Sequence, residues 1–391
     1  MDMRLFWLAL GAFAIGAEGF VISSLLPSIS ADTGVTIAQG GYLVLAFALS
    51  YAVGGPVLAS ITGHRDRRNV LSASMLVFTL GNIVAALAQS YEQLLVARVV
   101  MALAAGLYAA TAQATAVAIA EPHHRARAIS VVVGGTTVAV AFGAPLGAFV
   151  AEFAGWRGTF WVVAAIGLAS AVAIRAMLPK GLHGARLPLR ERLGVIARPG
   201  MAPALLTTLL VMAGGFTVFT YIAPLATHAD GLSAGLLPVV LLAFGVGAAI
   251  GNYAGGQLAD RIGATPTVAA ATLLVAALLA LHSLIPHLPL SVAGAALLGL
   301  MVPWGIVGWA FPPAQASRVI KLASDAAPLA LSLNASALYL GVALGSVVGG
   351  EVMTYATPFD LGWVGSLLAL ASFGVIIATR PAPSLATARL G

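Results

Sequence analysis

The feature that most constrains this chain is the recurrence of apolar runs about twenty residues long and nearly free of charge. At 1.5 Å per residue, such a run crosses the roughly 30 Å hydrocarbon core of a bilayer. Twelve occur, approximately at 5–27, 39–60, 70–89, 93–118, 128–151, 158–178, 201–225, 235–257, 266–285, 290–316, 327–354 and 360–380. Several hold Gly and Pro, which membrane helices tolerate because packed neighbours satisfy the freed backbone groups. Only 8% of the 391 residues are charged, against about 25% in soluble domains. A soluble chain of this make-up would expose large apolar patches and aggregate. The expected fold is therefore an all-α membrane protein of twelve transmembrane helices. The first run follows Arg4 as a signal peptide would, but it is too long and Glu18 interrupts it, so it reads as a mature first helix. The chain has no cysteine, which excludes disulfides, thiol catalysis and Cys-based metal sites.

The formal net charge is +6. With the N-terminus inside and the spans alternating, every Lys and Arg except Arg98 and Arg157 falls on the cytoplasmic side, 17 of the 19. This is the positive-inside bias of a membrane protein. Both termini are then cytoplasmic, the location is a bacterial-type inner membrane, and the basic surplus needs no nucleic-acid partner.

One long polar connection, residues 179–200, separates an N-terminal six-helix unit (1–178) from a C-terminal one (201–391). Within it "LPLRERLGVIA" reads equally as a short amphipathic helix on the membrane surface or as a solvated linker. The first helix starts near residue 5 and the seventh near 201, an offset of 196. "GGPVLASITGHRDRR" and "GNYAGGQLADRIG" stand 197 residues apart, each between the second and third helix of its half. The chain is a duplicated six-helix unit.

"GGQLADRIG" resembles the loop signature of the major facilitator superfamily, through Gly256, Asp260, Arg261 and Gly263. The first-half copy keeps the basic tail Arg67-Arg68. It has Ala59, Gly63 and His64 where the leading Gly, the Asp and the Arg are expected, with Asp66 as the available substitute. "LLVARVVMALAAG" resembles the fourth-helix motif around an intramembrane Arg, here Arg98. "GTTVAVAFGAPLGAF" resembles the fifth-helix motif of antiporters, with Gly143, Pro145 and Gly147, although Ala144 replaces the usual Gly. "GWRGTFW" and "YIAPL" resemble segments of its proton-driven drug and sugar exporters. The resemblance implies two pseudo-symmetric six-helix bundles around a central cavity, alternating access and a monomer. It also makes the Asp260-Arg261 and Arg67-Arg68 loops cytoplasmic latches that hold helix ends together when the protein faces outward.

Glu18 lies about 20 Å from the inner end of its helix. An ionised group at that depth is expensive and marks a pathway or a pair. Burial favours the neutral acid and a nearby cation favours the carboxylate, so such a group loads and releases a proton as its surroundings change. Arg98 falls at similar depth, about 8 Å from the outer edge against about 13 Å for Glu18. The expected proton-coupling pair is Glu18 and Arg98, against the alternative that Arg98 only braces helix ends. Tyr221, Trp304, Asn334 and Tyr339 sit inside apolar runs and supply a candidate substrate pocket. Glu152 and Glu351 read as solvated rim carboxylates. His282 and His287 read as loop histidines with poor metal spacing. No phosphate-binding loop and no HExxH pattern occurs, so no metal, no cofactor and no enzymatic activity is expected.

Together these residues predict a proton-coupled exporter of a small amphipathic molecule such as a drug, neutral or weakly anionic. The alternatives are a narrow-specificity exporter of sugars, nucleosides or amino-acid metabolites, a proton symporter, or a receptor without transport.

Overall fold

The computed structural model describes residues 2–183, 189–228 and 236–379. Arg186, Arg380 and Arg389, counted above on the cytoplasmic side, lie outside them. No β-strand occurs among the described residues. The helices are α1 (Met3–Thr33), α2 (Ile37–Gly40), α3 (Tyr42–Thr62), α4 (Arg67–Leu87), α5 (Tyr91–Ile119) and α6 (Arg125–Met177) in the first half. After α7 (Leu189–Gly194) follow α8 (Met201–Phe219), α9 (Ile222–His228), α10 (Leu237–Arg261), α11 (Ala264–His282), α12 (Leu290–Leu322), α13 (Ala327–Tyr355) and α14 (Asp360–Ala378).

Among the described residues, eleven helical stretches are long and apolar enough to span a bilayer. One of them, α6, runs 53 residues and is broken at Gly155 (φ 67, ψ 173). Only glycine takes that conformation without a Cβ clash, so α6 is two spans back to back and the total is twelve. The polar links supply helix caps. Asp66 accepts from the Arg68 amide, Ser90 from Gln93, and Thr36 and Gln39 form a capping box.

Two expected spans are interrupted. The second is α2 plus α3, parted at Gly41, and the seventh is α8 plus α9, parted at Thr220-Tyr221. The breaks meet. The Tyr221 hydroxyl donates to the Ser346 carbonyl at 2.9 Å, and Ser346 Oγ donates to the Gly41 carbonyl at 2.6 Å. The two breaks are thereby tied together inside protein, while their own amides bond locally, Gly41 N–H to the Ile37 carbonyl and Tyr221 N–H to the Val218 carbonyl, each at 3.1 Å, as a membrane requires.

Helix pairing repeats between halves. The packing of α1 on α6, α3 on α5 and α4 on α6 is matched by α8 on α13, α10 on α12 and α11 on α14. The halves join chiefly through α3 with α13 and α6 with α10. Small residues allow this closeness. A methyl added at Gly143 of α6 would stand 2.6 Å from the Ala17 Cα of α1. Across the second half, one at Gly349 would stand 2.7 Å from the Thr217 carbonyl.

The connection between halves is a short helix, α7, followed by a 3-10 turn at Val195–Ala197. Val195 is buried with Met201, Ala204, Val319 and Ala330, and Arg198 pairs with Asp325. It is docked onto the second half instead of floating on the bilayer.

Candidate functional site

Glu18 sits fifteen residues from either end of α1, and is fully buried. Arg98 of α5 is 1% exposed and its Nη1 donates to Glu18 Oε1, closing an ion pair between the two helices. Arg98 Nε donates to the Leu43 carbonyl at 3.1 Å, and the guanidinium lies 4.3 Å over the Phe47 ring. These two further partners of the arginine both come from α3. Glu18 Oε2, by contrast, is buried without a hydrogen-bond partner among the described residues. Removing two charges from water costs several kcal/mol each in practice, and a bare carboxylate oxygen adds to that cost. An unsatisfied buried polar atom of this kind is rare in folded proteins and calls for an explanation.

The pair opens towards the second half through aromatic rings. Phe47 lies 6.3 Å from Tyr51, one turn along α3, and Tyr51 stacks on Tyr339 of α13 with centroids 3.8 Å apart. Beside it, Ser336 Oγ donates to the Ala52 carbonyl at 2.8 Å. On the other side of Glu18, Phe20 packs against Phe216 and Phe219 of α8 and Trp309 of α12, with centroids 5.7–6.0 Å apart. The buried charges thus lie between two aromatic groups that each bridge the halves.

Of the four residues expected to form the substrate pocket, Tyr339 alone joins the row of aromatic rings that leads from the ion pair. Tyr221 is consumed by the helix breaks described above. Trp304 is 2% exposed within the second half, 5.0 Å from the rings of Phe244 and His282. Asn334 accepts from Thr208 Oγ1 at 2.7 Å, and Gln315 Nε2 donates to the same hydroxyl at 3.0 Å and to the Ala204 carbonyl at 2.6 Å. That network is near the ends of α8, α12 and α13, one level away from Glu18. His282 is not a loop residue. It ends α11, is fully buried, and has Nδ1 2.8 Å from the Leu278 carbonyl. Glu152 and Glu351 are exposed.

The two latch loops differ. In the first, Arg67 Nη1 donates to the Ala114 carbonyl at 2.7 Å, and the Arg68 guanidinium donates to the Arg175 carbonyl. Asp66 accepts from the Gly181 amide at 2.9 Å, and this bond holds its carboxyl below the usual range. The loop therefore ties α4 to α5 and to the end of α6. In the second, Asp260 and Arg261 are exposed and make no side-chain hydrogen bond or ion pair among the described residues. Gly256 and Gly263 flank them, Gly263 with φ 97. The motif's invariant-looking half is the unlatched one, and the departed copy, through Asp66, is the latched one.

Gly143 and Gly147 lie on the face of α6 that meets α1 at Ala17 and Val21, beside Glu18, and Pro145 between them is also buried. On the face away from most of the Lys and Arg, Arg157 bonds Asp32 Oδ2 at 2.6 Å and the Ala88 carbonyl at 2.8 Å, pinning three helix ends. Sequence reasoning passed over Asp32, although an acid at the end of the first span and the single outer arginine were a visible pair. Phe47 and Tyr51 carry a four-residue helical spacing but no charge, and nothing in the sequence set them apart from lipid-facing aromatics.

The Major Facilitator Superfamily profile matches residues 8–346. The chain is 36% identical over 378 residues to the inner membrane transport protein YdhP of Escherichia coli K12, covering 96% of each. It is 33% identical to a chloramphenicol resistance protein of Streptomyces lividans, over 99% of this chain and all of that one. Its fold is similar to a bacterial homolog of the human lysosomal transporter Spinster in an inward-facing, occupied conformation, with a TM-score of 0.74 at 19% identity over 97% of this chain and 98% of that one. A family of transporters, not of enzymes, accounts for the helices, their pairing and the buried charges together: the chain is a multi-pass membrane transporter of the major facilitator superfamily.

Proposed function

We propose that the transporter exports a small amphipathic organic molecule in exchange for protons, with Glu18 as the proton carrier and Arg98 as its modulator. The observation that carries the reading is the buried Glu18–Arg98 pair with one carboxylate oxygen unpartnered. Arg98 has two further partners on α3, so it can release Glu18 without being left bare. Once released, the carboxylate is the base an incoming proton meets, and its neutralisation removes the charge that held α1 to α5. The Tyr51–Tyr339 stack crosses the halves at the same level, which couples that event to their relative movement.

Several features support an inward-facing state. The far ends of the halves are closed by the Gly41–Tyr221–Ser346 contacts and by α1 packing on α9. The second-half latch, which by resemblance locks the outward-facing state, is undone. The positive-inside bias supports cytoplasmic termini, and in this reading the chain works as a monomer driven by the proton gradient, with no cofactor. The aromatic groups flanking the pair suit a ring-bearing substrate that is neutral or weakly anionic. The chloramphenicol resistance relative makes that compound the first to try.

The test is dye-reported proton movement in everted membrane vesicles on adding chloramphenicol, compared with Glu18→Gln. A gradient dissipated by the drug in wild type and not in the variant supports antiport through Glu18. A normal response in the variant removes Glu18 from the mechanism.

A further inference from the structure

A groove of about 510 Å³ lies on the outer flank of the first half, between α4 and the end of α6, on the face that gathers the basic residues. It is remote from the Glu18–Arg98 site and independent of the transported substrate. Its walls include Leu76 and Val172, 44% and 59% exposed. Val77, Leu80 and Leu168 continue the same apolar surface along the two helices. In a bilayer that surface faces lipid, so the groove opens into the membrane and not into the transport pathway.

The end of the groove nearest the helix termini is polar. Asn69, Ser72 and Arg175 line it. Ser72 is only 5% exposed, yet its Oγ has no hydrogen-bond partner among the described residues. Arg175 is exposed and its guanidinium enters no ion pair among them; only its carbonyl is used, by Arg68. Arg68 Nε is likewise buried without a partner. Among the described residues no carboxylate lines the groove. Asp66, three residues before Asn69 in the chain, is already committed to the Gly181 and Arg68 amides. A cation, an unmet buried hydroxyl and an apolar wall that continues into hydrocarbon thus follow one another along one cleft.

We propose that this groove is a binding site for an anionic phospholipid. Its phosphate is held by Arg175 and the Ser72 hydroxyl, and an acyl chain lies along Leu76 and Val172. Basic clefts between transmembrane helices at the membrane edge recognise lipid headgroups in this way. A free phosphate meets the same polar groups but leaves the apolar wall uncovered, so the lipid is the occupant the whole groove fits. The bound anion sits where Arg68 ties α4 to α6, and it offsets the positive charge crowded at that junction.

The experiment is native mass spectrometry of the delipidated full chain, titrated separately with phosphatidylglycerol, phosphatidylcholine and inorganic phosphate. Wild type should bind phosphatidylglycerol more tightly than phosphatidylcholine. Arg175→Gln should weaken the former about five-fold, the worth of one basic residue at a lipid surface. Arg175→Lys should keep most of the affinity. Arg127→Gln, a change on the same basic face but outside the groove, should leave it unaltered. The proposal is overturned if the two lipids bind alike, if Arg127→Gln costs as much as Arg175→Gln, or if inorganic phosphate displaces phosphatidylglycerol completely. Because Arg175 is exposed, its variants should fold, and circular dichroism of each confirms it before titration.

Discussion

Adding one methyl group at Gly143 should impair transport by displacing Glu18, without touching a charge. In the structure a Cβ at Gly143 would meet the Ala17 Cα at 2.6 Å and the Ala17 Cβ at 2.9 Å. Contacts under 3.0 Å are essentially never made and ordinary ones begin near 3.4 Å, so α1 and α6 must part by at least about 0.4 Å, and by about 0.8 Å to restore an ordinary contact. Overpacking of this sort costs about 1–3 kcal/mol. More telling is where the shift falls, because Ala17 is the residue before Glu18. A displacement near 1 Å at a working group costs on the order of a hundred-fold in rate. Gly143→Ala should therefore fold, melt several degrees below wild type and lose most proton–drug exchange in reconstituted vesicles. Gly134→Ala is the matched control, since a Cβ there meets nothing within 4 Å. Wild-type exchange in Gly143→Ala, or equal loss in Gly134→Ala, would refute the argument that this glycine sets the position of the buried carboxylate.

Arg98→Ala strands a buried carboxylate and should destabilise the protein by about 3–5 kcal/mol. The double variant Glu18→Gln/Arg98→Gln should regain much of that stability in a thermal melt while remaining inactive. Tyr339→Ala removes the stack on Tyr51, which is worth about 0.5–1.5 kcal/mol. Its KM for the drug should rise more than its melting temperature falls. The Asp66 carboxyl is held low by the Gly181 amide, so its contribution is complete above the ordinary carboxylate range and is lost as the pH falls through the lowered value. Hydrogen exchange at residues 180–182 should then rise only in strong acid, and in Asp66→Asn it should be high throughout. Asp32→Asn should cost no more than about 1 kcal/mol, because Asp32 and Arg157 are 45% and 39% exposed; a larger loss by thermal melt contradicts that estimate.

The sequence carried most of the fold and little of the site. Spans, the duplication and the charge asymmetry are local properties, and a bilayer admits few structures other than helices whose backbone bonds are met within the segment. Twenty uncharged residues therefore suffice to place α1 or α14 without knowledge of its neighbours. The Glu18–Arg98 pair was legible for the same reason, since an ionised group in hydrocarbon is too costly to be incidental. The break between α8 and α9 was not, because the run through residues 201–225 is apolar on both sides of Tyr221 and the partners that make the break tolerable, Gly41 and Ser346, are over a hundred residues away.

What the tertiary structure alone decided is the rotation of each helix about its axis. A membrane helix is apolar on every side, so its hydropathy has no phase that points inward. Trp304, Asn334 and Tyr221 looked as fit for a cavity as Tyr339 did. Their facing was set by where Gly143, Gly349 and their neighbours let one helix approach another. That approach turned Trp304 onto His282, Asn334 onto Thr208 and Tyr339 onto Tyr51. Lipid determines that these segments are helices, and close packing between particular small residues determines which side chains meet.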